Sequence, residues 1–79
     1  SELDALRAFY TQMIVGDSAD NIKVCKGKGK AFATKLLEPL TTKYQMTRAV
    51  YELYKEFYKS KAGLKYRETY NLLKLRTNV

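Results

Sequence analysis

Apolar residues recur along this chain at intervals of three and four, and Gly16, Pro39 and Gly63 interrupt that rhythm. Such spacing places one stripe of side chains on the same face of an α-helix. Leu3, Leu6, Phe9, Tyr10, Met13 and Ile14 predict a helix over residues 2–15. Ser1 is placed to cap it, Asp4 falls in its first turn, and Gly16 is placed to end it. A loop is expected over residues 17–28, with room for one helical turn near Ser18 to Asn21.

A second helix is expected from about Gly29 to Leu37, with Phe32, Ala33, Leu36 and Leu37 inward. Pro39 stops it, because the residue before a proline is pushed out of the helical region. Residues 39–46 then read as a connector. Thr47 is the expected cap of a third helix reaching about Ser60, with Met46 and Tyr51 forming a hydrophobic staple. Val50, Leu53, Tyr54, Phe57 and Tyr58 supply its buried stripe. Gly63 is expected to break the chain before a last helix over residues 65–76. Tyr66, Tyr70 and Leu73 point inward there, with Leu72 as a further candidate. Strand-period alternation, repeats and low-complexity tracts are absent. The expected fold is therefore all-α, a single small domain of four to five helices over residues 1–79.

The chain has 79 residues. A domain of that size buries only about 60% of its unfolded surface, so its core is modest. Fifteen Lys and Arg against eight Asp and Glu give a net charge of +7. That excess favours a polyanionic partner, although a basic solvated surface has the same composition. Histidine is absent, which excludes His-ligated zinc and catalysis by Ser-His or Cys-His pairs. Cys25 is the one cysteine, so no internal disulfide forms, and a reducing, cytoplasmic setting is expected. No apolar run approaches the ~18 residues of a membrane span, and no signal peptide is evident. The start at Ser1 instead of Met suits a fragment of a larger protein.

The chemistry concentrates in GDSADNIKVCKGKGKAFATKLL, residues 16–37. Asp17 and Asp20 lie three apart, a spacing that turns two carboxylates to one side of a helical turn. Mg²⁺ takes about six oxygen ligands, so two aspartates bind it weakly without further acids. The same residues also serve as turn and cap residues. Lys23, Lys26, Lys28, Lys30 and Lys35 follow with no acid between Asn21 and Leu37, and Gly27 and Gly29 bracket Lys28. Glycines at the mouth of a helix let backbone N–H groups approach a phosphate, and lysines add sequence-independent affinity. A solvated lysine face is the plainer alternative. The seven tyrosines invite base stacking, but Tyr51, Tyr54, Phe57 and Tyr58 repeat at helical spacing and read as core. Cys25 reads as a small loop residue, since no base is at hand to activate it.

GDSADNI followed by KGKGK and ATKLL resembles the helix–three-turn–helix region of the 5′ nucleases. That superfamily includes flap endonucleases, phage 5′–3′ exonucleases and the 5′-nuclease domain of bacterial DNA polymerase I. The matching residues are Gly16, Asp17, Asp20, Asn21 and Ile22, then Gly27 and Gly29, then Ala33, Lys35, Leu36 and Leu37. YELYKEFYKSKAG and ETYNLLKLRT are similar to the helices that follow in phage members.

The resemblance implies a helix-hairpin-helix-like motif at about residues 16–37 that grips duplex DNA without reading sequence. Lys23, Lys26, Gly27, Lys28, Gly29, Lys30 and Lys35 would line it. Asp17 and Asp20 would be ligands in the second of two Mg²⁺ (or Mn²⁺) sites. A K⁺ ion would sit between a DNA phosphate and the carbonyls of Val24, Cys25 and Lys28. Substrates would be 5′ flaps, 5′ ends or RNA–DNA hybrids met in DNA replication, in a bacterium or a phage-infected cell.

The departures are specific. Lys23 and Val24 stand where the family often has Pro-Gly, Lys28 where its turn holds an apolar residue, and Ala31 and Phe32 where Lys-Thr is common. The family's N-terminal α/β half, which carries most catalytic carboxylates, has no counterpart in these 79 residues. The chain is thus expected to be monomeric and, alone, inactive as a nuclease. Two other classes stay open: a stand-alone nucleic-acid-binding hairpin protein, and a helical protein–protein module using its tyrosine stripe.

Overall fold

The computed structural model describes residues 1–17 and 22–77, with side chains through residue 75. Four α-helices and one 3₁₀ turn make up the described fold: α1 (Glu2–Val15), α2 (Lys30–Leu37), α3 (Lys43–Tyr58), a 3₁₀ turn (Lys59–Lys61) and α4 (Ala62–Thr77). The class is all-α, as the periodicity predicts. Among the described residues the one β-type feature is an isolated bridge between Asp17 and Ile22.

Helix α1 has the boundaries read from the sequence. The Ser1 hydroxyl accepts the Asp4 N–H at 3.3 Å. At the other end the Gly16 N–H reaches Gln12 O at 2.7 Å, and Gly16 takes a φ of +83°. That backbone region favours glycine. Space demands it too, because a Cβ on Gly16 would overlap the Ile22 carbonyl oxygen.

Helix α3 begins five residues earlier than a Thr47 cap predicts. Thr42 is its cap: its hydroxyl accepts the Gln45 N–H at 3.1 Å, while Gln45 Oε1 accepts the Thr42 N–H at 3.2 Å. This reciprocal capping box satisfies two donors at once, an advantage Thr47 lacks. Met46 therefore lies within the helix and is fully buried, and is no part of a staple. Thr47 instead pairs its hydroxyl with that of Tyr10 at 2.9 Å.

Gly63 does not break the chain. The reversal falls at Lys59, whose φ is +52°, and Gly63 lies in the first turn of α4. A Cβ there would stand 3.4 Å from the Tyr51 hydroxyl, where α4 faces α3.

Helices α1 and α2 pack together, α3 and α4 pack together, and α1 also lies against both helices of the second pair. The core between them holds Tyr10, Met13, Ile14, Ala33, Leu37, Met46, Val50, Leu53, Tyr54 and Leu73. Tyr54 fixes the crossing by donating its hydroxyl to the Met13 carbonyl at 2.6 Å. Arg7 fixes the other pair, donating from Nη2 to Glu38 O at 2.8 Å and Leu40 O at 3.0 Å. These carbonyls follow the end of α2, where backbone acceptors lack helical partners.

Three expected core residues lie elsewhere. Phe32 is 38% exposed and Tyr51 36% exposed, and Leu72 faces outward. On α2 the inward residues are Ala33 and Leu37, with Leu36 half-buried, so the stripe passes Phe32 by one position. Tyr51 lies at the rim, edge-on to Tyr66 with ring centroids 5.7 Å apart.

Candidate nucleic-acid interface

The segment joining α1 to α2 is tied down at both ends. Asp17 and Ile22 exchange backbone hydrogen bonds, Asp17 N–H to Ile22 O at 2.9 Å and Ile22 N–H to Asp17 O at 2.8 Å. Val24 and Cys25 then turn their side chains into the core. Burying this apolar pair turns the neighbouring Lys23, Lys26 and Gly27 outward, and all three are exposed.

The bend itself is a β-turn over Cys25–Lys28, closed by the Lys28 N–H on Cys25 O at 3.0 Å. Gly27 takes a φ of +88° and Lys26 does not take a positive φ, the pattern of a type II turn with glycine at its third position. Cys25 enters the turn at φ +44°. Its N–H is held by the Tyr58 hydroxyl of α3 at 3.1 Å. Burial pushes the Cys25 thiol up to about 11, against a smaller downward pull from Lys28. The sulfur is thus a protonated, packed group at neutral pH and no nucleophile.

Beyond the turn, the backbone is open. A Cβ on Gly27 or Gly29 would meet nothing within 4 Å. Gly29 is the N-cap of α2, no side chain caps that end, and no acid sits in its first turn. The first-turn N–H groups therefore carry the positive end of the helix dipole toward whatever approaches the bend.

A cleft of about 600 Å³ runs along the bend. Lys23, Lys26 and Lys28 line it with Val15, Ile22, Val24, Cys25, Gly27 and Tyr58. Lys28 also lays its ammonium 4.4 Å from the centre of the Phe32 ring. Of the predicted site residues, Lys23, Lys26, Gly27 and Lys28 therefore share one cleft, and Gly29 and Lys30 follow at the mouth of α2. Lys35 lies in the last turn of α2 and does not line the cleft. Val24 and Cys25 contribute mainly as buried anchors, and the Cys25 carbonyl is already an acceptor within the turn.

Asp17 is half-buried beside the bend. Asp20, its expected partner, lies outside the described residues. Among the described residues no group of three or more His, Cys, Asp or Glu is close enough to hold a metal ion.

One contributor was invisible in the sequence pattern. Tyr58 reads as core but supplies a wall of the cleft and the acceptor for Cys25. Lys65 of α4 sits 5.7 Å from the Tyr58 ring centre and pairs with Glu68 at 3.5 Å. Tyr58 is brought to the bend by the packing of α3 against it, which leaves no local signature. Among the described residues, no helix is long and apolar enough to cross a membrane. No protein-family model, curated protein or solved structure matches the chain.

Proposed function

We propose that the bend over residues 23–30 holds the sugar–phosphate backbone of duplex DNA without reading its sequence. The chain would serve as the DNA-gripping part of a 5′–3′ exonuclease or flap endonuclease. The observation that carries this reading is the open glycine bend running into the uncapped N-terminus of α2. Lys26, Lys28 and Lys30 lie along that bend, and no side chain caps the first-turn N–H groups of α2. Phosphate contacts of this kind position a protein on DNA but carry no sequence information.

In this reading a catalytic half outside these residues supplies the remaining acidic ligands. A divalent ion there activates water and stabilises the leaving oxygen. Asp17 and Asp20 would add to such a site. A K⁺ ion would be taken by the carbonyls of Val24, Cys25 and Lys28. A protein–protein role for the tyrosine stripe has less support, since Tyr54 is fully buried and Tyr58 holds the loop.

The test is titration of the chain against duplexes of unrelated sequence over a range of salt. Three to five phosphate contacts give a slope of log K on log salt of about −3 to −4.5. Joint replacement of Lys26, Lys28 and Lys30 by Ala is expected to abolish most of the binding. A flat salt response, or full affinity in that triple variant, overturns the assignment.

A further inference from the structure

We infer that Phe32 is a stacking platform for an unpaired nucleotide at the end of the bound strand, with Lys28 as its movable cover. The inference rests on the phosphate-holding reading of the bend.

An inward Phe32 is what its neighbours on α2 predict, yet the ring is 38% exposed. It is the third residue of α2, within one turn of the N–H groups at the helix mouth. A single exposed aromatic is ordinary on a protein surface. This one differs in its surroundings. The Lys28 ammonium lies 4.4 Å from its centre, and Lys28 belongs to the glycine turn itself. Open space borders both Gly27 and Gly29.

A cation over an exposed ring is a weak contact, and an ammonium gains more from a phosphate oxygen through a charge-assisted bond. A strand entering the bend therefore draws Lys28 from the ring to the backbone and uncovers the π-face. Bases within a duplex are already stacked on their neighbours, so only an unpaired base at an end or junction can use that face. The lysines supply general affinity, and Phe32 supplies a preference for strand ends.

The test compares a blunt duplex with the same duplex carrying one unpaired 5′ 2-aminopurine. The proteins are the wild-type chain, Phe32→Leu, which keeps apolar bulk, and Phe32→Trp, which keeps a π-face. Wild type should bind the overhang duplex about 5- to 150-fold more tightly than the blunt one, the range expected for one base on one aromatic ring. It should also quench the probe. Phe32→Leu should lose both the preference and the quenching while holding blunt duplex as wild type does, and Phe32→Trp should retain them. If Phe32→Leu keeps the preference, or weakens both duplexes equally, the ring is no platform, although the lysine bend still stands as a backbone grip. If wild type binds neither duplex, the reading of the bend falls, and this inference with it.

Discussion

The Tyr58 hydroxyl accepts the backbone N–H of Cys25 at 3.1 Å, joining the last residue of α3 to the start of the glycine turn. The bond spans 33 positions in the chain and holds a residue at positive φ. Phe in place of Tyr58 keeps the ring packing on Tyr54 and Phe57. It leaves a buried N–H without its acceptor, which costs about 1–3 kcal/mol. For a domain of this size each 1 kcal/mol lowers Tm by roughly 4–8 °C. Tyr58→Phe should therefore melt several degrees lower, with faster hydrogen exchange at the Cys25 amide. An unchanged exchange rate there would show that the loop is held by other contacts.

Gly16 and Gly27 both have positive φ, but they differ in what surrounds them. A Cβ on Gly16 would collide with the Ile22 carbonyl, which belongs to the bridge closing the loop. A Cβ on Gly27 has free space. Gly27→Ala should cost only the conformational strain, on the order of 1–2 kcal/mol. Gly16→Ala carries a larger strain, since φ +83° with ψ −169° is a region open essentially to glycine alone, plus the collision, and is expected to lose more stability in chemical denaturation. Equal losses would mean that the Asp17–Ile22 bridge moves aside at no cost.

Some of this was legible in the sequence and some was not, for separable reasons. The boundaries of α1 followed from Ser1 and Gly16 because each acts locally, Ser1 through its hydroxyl on the Asp4 N–H and Gly16 through its backbone. The start of α3 was also written locally, in Thr42 and Gln45, but Thr47 competes with Thr42 for the same role. What decided between them is the reciprocal pairing of Thr42 with Gln45, which Thr47 lacks; Thr47 bonds to Tyr10 instead. Gly63 misled in turn: it lies in the first turn of α4, while Lys59 carries the reversal. At the bend, glycines and lysines are visible as residue types. Tyr58 is not, because tertiary packing alone brings it there.

The Cys25 thiol gives the fold a pH dependence with a defined sign. Its ordinary value is 9.0, and burial raises it to about 11 in the folded chain. Below 9.0 both states hold the proton and the thiol's contribution is fully present. Between that value and about 11 the unfolded chain releases the proton while the folded chain keeps it. Stability therefore falls as pH rises across this window. Tyr54 and Tyr66, also pushed up by burial, act in the same direction. Denaturation midpoints should decline through the window, and less steeply in Cys25→Ala. At pH 8 iodoacetamide should label the denatured chain far faster than the folded one. Fast labelling of the folded chain would mean that the loop opens readily.

The lysines can be told apart by counting. Each lysine that neutralises one phosphate contributes about 0.9 to the slope of log K on log salt. Lys26 and Lys28 line the cleft, and Lys30 opens α2 beside the uncapped N–H groups. Lys35 sits five residues further, about 7.5 Å along the axis at 1.5 Å per residue, in the last turn of the helix. There its charge complements the negative end of the α2 dipole, which favours stability. Single replacement of Lys26, Lys28 or Lys30 by Ala should each reduce the slope by about one. Lys35→Ala should leave the slope unaltered and lower Tm slightly. A reduced slope in Lys35→Ala would extend the contact along the whole exposed face of α2. The strand would then run beside the helix, and not across its N-terminal mouth.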